Sequence, residues 1–136
     1  MNANLLSVVA LSSTVLTGCT PVEVPAIPAE PSGIPVELSD SQISFIQNEV
    51  RNNLKDPESA RFAQIAAVRE PEGILLVCGF VNGRNSFGGY TGFQPFSGIY
   101  TELGQLGSTL SIINIGGTDS QQMATLSVCR DSGVIL

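Results

Sequence analysis

Residues 74–83 read ILLVCGFVNG. From Ile74 to Val81 no side chain is charged or strongly polar, and the run has the length of a strand with Gly73 before it and Gly83 after it. It is the most apolar run outside the first eighteen residues, so it reads as the central strand of a sheet. Arg61 to Val68, RFAQIAAV, reads as its neighbour, joined to it through the turn Glu70-Pro71-Glu72-Gly73. Asn82-Gly83 is a strong two-residue turn signal at the far end. Ser108 to Ile115, STLSIINI, is a further strand, closed off by Gly116-Gly117.

Helical patterns stand on either side of these runs. Ser39-x-x-Gln42 matches a capping box, and Leu38 with Ile43 suits the hydrophobic staple around it. Ile43, Ile46, Val50 and Leu54 follow at helical spacing, which predicts an amphipathic helix over 40–55 with Glu49 and Arg51 facing water. Asp56-Pro57 stops it, because proline disfavours a helical residue before it. Towards the C-terminus, Thr118-x-x-Gln121 or Asp119-x-x-Gln122 offers a second cap. A helix through Cys129 would put Met123, Leu126 and Cys129 on one face, with Gly133 as its stop. A strand over Ala124 to Cys129 competes with that reading. The expected fold is α+β: an N-terminal helix, a small antiparallel sheet and a C-terminal helix, in one domain over residues 39–136.

The first eighteen residues, MNANLLSVVALSSTVLTG, carry no charge, and Leu5 to Leu16 form an apolar stretch of secretory length that is short for a bilayer span. It ends in Leu16-Thr17-Gly18-Cys19, which resembles the lipobox of bacterial lipoproteins. The resemblance implies a signal peptide over 1–18, lipidation of Cys19 with diacylglycerol, and an anchor in the cell envelope. Thr20, where an Asp would retain the protein at the inner membrane, implies the outer membrane facing the periplasm. Met1-Asn2-Ala3-Asn4 lacks the usual Lys or Arg, so either a start upstream of Met1 or an atypical signal is expected, the former being favoured. Residues 20–38 hold five of the eight prolines and read, with Cys19, as an extended tether over 19–38. At about 3.1 Å per residue it would reach roughly 50–60 Å. With Cys19 lipidated, Cys78 and Cys129 remain as a pair in an oxidising compartment, where a disulfide is expected. Two unrelated buried thiols are the competing reading.

Aromatics are concentrated. Five of the eight lie between Phe87 and Tyr100, around NSFGGYTGFQPFSG at 85–98. Phe87, Tyr90, Phe93 and Phe96 recur every third residue, a spacing that is neither a strand period nor a sustained helical face. Gly88, Gly89 and Gly92 allow turns and bulges that re-aim side chains, and Pro95 argues against a central strand there. The expected object is a bulged edge strand or wide loop, with Phe87 and Phe96 inside and Tyr90 and Phe93 nearer the surface. Asn85, Phe87, Tyr90, Phe93, Gln94 and Phe96 are the candidate binding residues, Gln94 being the polar position expected to be most exposed. The alternative is that the rings fill a core that has no Trp.

Other chemistries fail on residue types. The chain has no His, which removes the common catalytic bases and zinc sites. Twelve acids oppose six bases, without runs of Lys or Arg, so nucleic-acid binding is not expected. Asp56 with Glu58, and Glu70 with Glu72, lie at turns rather than across a cleft. The glycines at 88, 89 and 92 have no following Lys and no phosphate-loop context. No cofactor, metal or catalytic residue is expected.

Leu54-Lys55-Asp56-Pro57-Glu58-Ser59-Ala60-Arg61-Phe62 and the stretch from Val77 to Phe93 resemble a group of small exported bacterial proteins that share LKDPxSAxF and VCGxVNxxNSFGGYxGF segments. The resemblance covers residues 54–96 and implies an exported α+β domain; it supplies no activity or substrate. The expected role is a non-catalytic binding or assembly function in the envelope through residues 85–100, towards an envelope protein or cell-wall component. The alternative is an inhibitor of a cell-wall hydrolase such as lysozyme. Ser97-Gly98-Ile99-Tyr100 is similar to the SGxxY element of periplasmic lysozyme inhibitors, but one residue short.

Overall fold

A computed structural model of the chain describes residues 30–136. The signal-peptide reading of 1–18, Cys19, and the tether up to residue 29 lie outside the described residues. Five strands and two helices follow in the order β1 (Ile34–Val36), α1 (Asp40–Asn52), β2 (Arg61–Arg69), β3 (Leu75–Asn82), β4 (Gln94–Glu102), β5 (Ser108–Ile115) and α2 (Asp119–Asp131). The strands form one antiparallel sheet in the order β1-β2-β3-β4-β5, an α+β fold as the sequence predicts.

β3 is the middle strand, and both of its faces are covered. Leu75, Val77 and Val81 point to one side, into a core shared with Ile46 and Val50 of α1 and with Phe96 and Tyr100 of β4. Leu76 and Cys78 point to the other, against Val68, Cys129 and Val134. Two-sided burial explains why ILLVCGFV shows no polar alternation. The disulfide Cys78–Cys129 joins the strand to α2, with the two Cα atoms 6.2 Å apart.

Each helix starts at the predicted cap. Ser39 Oγ accepts from the Gln42 N–H while the Gln42 side chain accepts from the Ser39 N–H, and Thr118 with Gln121 repeats the arrangement. α1 ends at Asn52, three residues short of the predicted boundary. Its fully buried Ile46 and Val50 each contribute about 1.5–3 kcal/mol of burial. α2 buries Thr125 and Cys129, whereas Met123 is 67% exposed and does not share the expected face. Asn114 Nδ2 donates to Thr125 Oγ1 at 2.8 Å, so the helix is turned to satisfy a polar contact beside the disulfide. Gly133, at φ +93°, ends the helix. Its N–H donates to Arg130 O, and the Val134 N–H donates to Cys129 O, which turns Val134 back into the core.

Three expectations are corrected. Residues 34–36 are not tether but the edge strand β1, docked by the Gly33 N–H on Ser132 O and by Ser32 Oγ on Glu70 Oε2. A proline is tolerated there because an edge strand has one unpaired side. Hydrogen bonds from Ser132 and then from Ser32 hold the Glu70 carboxyl below the usual carboxylate range, against a small opposing effect of burial. This tie is therefore present above the ordinary carboxylate range and fades as pH falls. Second, Pro95 lies in β4, an interior strand. Its carbonyl accepts from the Gly116 N–H just past the end of β5, and Gly116 O, which the missing proline N–H would face, accepts from Asn114 Nδ2 at 3.1 Å instead. Third, Asn82-Gly83 is not the hairpin turn; β3 runs through Asn82, and the chain turns further on, at Asn85–Gly88.

Two bulges re-aim side chains. In β2, Gln64 and Ile65 stand opposite the single residue Gly79, and Gln64 takes φ 49°. The extra residue switches the alternation, so Phe62 joins Ala67 on the α1 side. In β5, Ile113 is the extra residue between the Ser97–Asn114 and Gly98–Ile112 pairs, and Ile112 and Ile115 both reach the same core. A side chain on Gly79 would stand 2.8 Å from the Phe96 ring, which lies across the strand from it and meets Phe62 edge-on at 6.3 Å.

Two measurements check this account. The disulfide closes a loop of 51 residues, so replacing both cysteines by serine is expected to remove about 2–5 kcal/mol of stability, read as the urea midpoint at constant slope. An unchanged midpoint would refute the stapling role. Gly79→Ala is expected to cost about 1–3 kcal/mol through displacement of Phe96, visible as a lowered Tm, with Phe96→Leu partly relieving it.

Candidate functional site

The turn that follows α1 and the loop between β3 and β4 are adjacent in space. After α1, Pro57–Ser59 forms a single 3-10 turn that delivers the chain into β2. Ser59 is 8% exposed; its Oγ donates to Asp56 O at 2.7 Å and accepts from the Arg84 N–H at 2.8 Å. Tyr90 Oη donates to Ser59 O at 3.1 Å. Thus one serine holds the base of the β3–β4 loop through its hydroxyl and its carbonyl.

The loop has its own internal framework. Arg84 and Tyr90 form an isolated antiparallel bridge. Beyond it, the Asn85 side chain accepts from the N–H groups of Phe87 at 2.9 Å and Gly89 at 3.1 Å, and the Gly88 N–H closes on Asn85 O at 2.9 Å. Asparagine does this because its short side chain mimics a backbone acceptor. Gly88 and Gly92, at φ +81° and +95°, supply conformations that other side chains rarely adopt. Asn85 is therefore the loop's internal clamp.

The four aromatics divide differently from the sequence expectation. Phe96 is fully buried, as expected, and is not accessible to a partner. Phe87, expected inside, is 96% exposed at the tip of the Asn85 turn. The spacing of three misleads here because the chain between Gly83 and Phe93 is turn, not strand, so it has no fixed inside. Phe93 is 51% and Tyr90 38% exposed. Gln94, expected to be the most exposed polar residue, is only partly exposed and packs on Gly116. Thr91 is the exposed polar neighbour instead.

Cations gather here despite the acidic composition. The Arg61 and Arg84 guanidinium groups lie 4.6 and 5.5 Å from the centre of the Tyr90 ring, and Arg51 lies 5.1 Å from that of Phe62. Each such contact contributes about 0.5–1 kcal/mol at an exposed site. Lys55 Nζ donates to Ser86 Oγ at 3.2 Å, and Arg84 pairs with Asp56 at 4.0 Å. Four of the six bases in the chain, Arg51, Lys55, Arg61 and Arg84, thus surround the root of the aromatic loop. A cleft of about 220 Å³ between Leu54, Lys55, Gly83, Arg84 and Thr91 opens beside it. Asn82, which ends β3, has a buried Oδ1 without a partner among the described residues.

Elsewhere the surface offers less. A groove of about 640 Å³ runs past Phe45, Tyr100 and Leu106, but Glu102 is its only charged side chain. Ser97-Gly98-Ile99-Tyr100 lies inside β4, with Ser97, Gly98 and Tyr100 buried, so it is not a protruding element. Among the described residues, no group of three or more His, Cys, Asp or Glu side chains converges, and no helix is long and apolar enough to cross a membrane. Neither a protein-family model, a curated protein nor a solved structure matches this chain.

The anchoring of the loop has a direct test. Ser59→Ala removes the acceptor of the Arg84 N–H and is expected to cost about 1–3 kcal/mol. Tyr90→Phe should cost about 1 kcal/mol through its lost bond to Ser59 O. Combined, the two are expected to be less than additive if both changes release one loop, and a double-mutant cycle in urea measures this. Strict additivity would mean that the loop is not a unit.

Proposed function

We propose that this chain is a bacterial envelope lipoprotein, anchored through Cys19, whose β3–β4 loop is a non-catalytic binding element for an envelope protein or cell-wall component. The lipobox-like Leu16-Thr17-Gly18-Cys19 supports the anchor. The observation that carries the binding role is Phe87: a ring 96% exposed to water on a turn held by four hydrogen bonds to Asn85. An exposed large apolar side chain on a floppy loop is ordinary, but one displayed on a closed, anchored turn is pre-organised for burial against something else. Phe93 widens the apolar area, and Arg61, Lys55 and Arg84 provide a polar rim, the arrangement of an aromatic anchor surrounded by charged groups.

Because Phe87 contributes nothing to the core, Phe87→Ser is expected to leave stability within about 0.5 kcal/mol of the parent. A photo-crosslinker at Thr91, in the native envelope, is expected to give a discrete adduct that Phe87→Ser and Phe93→Ser abolish. Adduct formation unaffected by both substitutions, or no adduct, would refute the loop as the binding element. Incorporation of labelled palmitate, lost in Cys19→Ser, tests the anchor separately.

A further inference from the structure

The cleft beside the β3–β4 loop differs in charge from the chain as a whole. Two cations line it, Lys55 and Arg84, and none of the described carboxylates does, in a chain of twelve acids and six bases. Asp56, the charged partner of Arg84, stands 4.0 Å from it and outside the lining. Both side chains are well exposed, so the pair neutralises little of that charge. Several hydrogen-bonding groups of the lining are unspent. No hydrogen bond among the described residues engages the Arg84 guanidinium, and Lys55 Nζ uses one of its three donors, on Ser86 Oγ. Asn85 gives its Oδ1 to the Phe87 and Gly89 N–H groups, which leaves Nδ2 as a donor without a partner among the described residues. Asn53 is the reverse case: its Nδ2 donates to Glu49 O, and its Oδ1 remains an acceptor. Leu54, Val81 and Ile115 supply an apolar wall of the same cleft.

We propose that this cleft binds the C-terminal carboxylate of a peptide, with the small aliphatic side chain of the last residue against Leu54, Val81 and Ile115. The inference rests on the reading of the β3–β4 loop as a binding element and names the chemistry that the loop recognises. Arg84, Lys55 and Asn85 Nδ2 present donors, the complement of a carboxylate, which accepts at both oxygens. A bare phosphate or sulfate would share those donors but has no use for an apolar wall or for an acceptor. A terminal peptide residue matches all three: its carboxylate meets the cations, its N–H meets Asn53 Oδ1, and its side chain meets the wall. At about 220 Å³ the cleft is smaller than sites that enclose a whole ligand, which suits the capture of one terminal residue. Thr91, exposed on the lining, is two residues from Phe93, so the cleft and a displayed ring belong to the same loop.

The test titrates the full chain in detergent with acetyl-Ala-Ala in its L,L and D,D forms, read by the backbone amide shifts of isotope-labelled protein. One form is expected to bind, with shifts centred on Lys55, Arg84 and Thr91; preference for L,L indicates a protein terminus, and preference for D,D a cell-wall peptide. The C-terminal amide of the same dipeptide, which lacks the anion, is expected to bind at least roughly tenfold more weakly, and Arg84→Gln to weaken the acid roughly tenfold. Arg84→Gln keeps the backbone N–H that Ser59 Oγ accepts and alters an exposed side chain, so the fold is retained. Arg130→Gln, on α2, is expected to change nothing. Equal affinity for acid and amide, an equal loss in Arg130→Gln, or tighter binding of inorganic phosphate at the same residues would each overturn the proposal. So would the failure of both forms to bind; a Thr91 adduct that still depends on Phe87 would then leave the loop a binding element with a different ligand.

Discussion

Cys78 occupies the middle of β3, and its side chain lies on the opposite face of the sheet from the one that α1 covers. α1 brings Ile46 and Val50 to the core, a conventional apolar face. α2 brings only Thr125 and Cys129 as buried residues, too little apolar surface to hold a helix on a sheet by the hydrophobic effect alone. The bond to Cys78 makes up the difference. Once α2 is fixed there, Asn114 can reach Thr125, the Gly133 turn can return Val134 to the sheet, and Ser132 can receive the Gly33 N–H that docks β1. Much of one layer of the fold therefore depends on a single covalent contact.

The loop at the other end of β3 depends on a different economy. It has no core of its own, and Phe87 is turned wholly to water. Its order comes from directed polar contacts: Asn85 inside the turn, Ser59 at the base, and Tyr90 between two guanidinium groups. Such contacts specify a shape without burying apolar rings, which leaves Phe87 and Phe93 free at the surface. A loop closed by hydrophobic packing would have consumed those rings. The distribution of roles among the aromatics follows: Phe96 packs, Tyr90 anchors, and Phe87 and Phe93 are displayed.

Sequence patterns revealed the parts of the fold that obey a fixed period or a local rule. The two capping boxes, the apolar β3 run and the Gly133 stop are each local, and each is found where its residues predict. The misjudged parts depend on contacts distant in sequence. β1 exists because of Ser132 and Glu70, some hundred and some forty residues away, and nothing within IPV itself demands a strand. The grouping of Arg51, Lys55, Arg61 and Arg84 is invisible in a chain without basic runs, since it takes the packing of α1's end on β2 and on the β3–β4 loop to bring them together. The bulges do leave a mark in the sequence. Phe62, Ile65 and Ala67 in β2, and Leu110, Ile112 and Ile115 in β5, each contain one step of three among steps of two, which is the mark of a bulge. The same step of three at Phe87, Tyr90 and Phe93 has another cause, a chain of turns, and only the glycines between them distinguish the two cases.

That distinction bears on why the sheet ends where it does. A bulge strengthens the twist of the strand that carries it, and both bulged strands lie one step in from, or at, an edge of this sheet. On the β1 side, the twist is followed by a short proline-bearing strand, and among the described residues hydrogen bonding stops there. On the β5 side, the bulge falls near the C-terminal end of the strand, at Ile113, so the preceding five residues keep regular pleat and unpaired polar groups. Backbone groups in that position are satisfied by water or by another strand, and the half-covered isoleucines beside them keep part of their apolar surface in water. The asymmetry between the edges is thus energetic as well as geometric: one edge is closed by its sequence, and the other retains both hydrogen-bonding capacity and apolar surface.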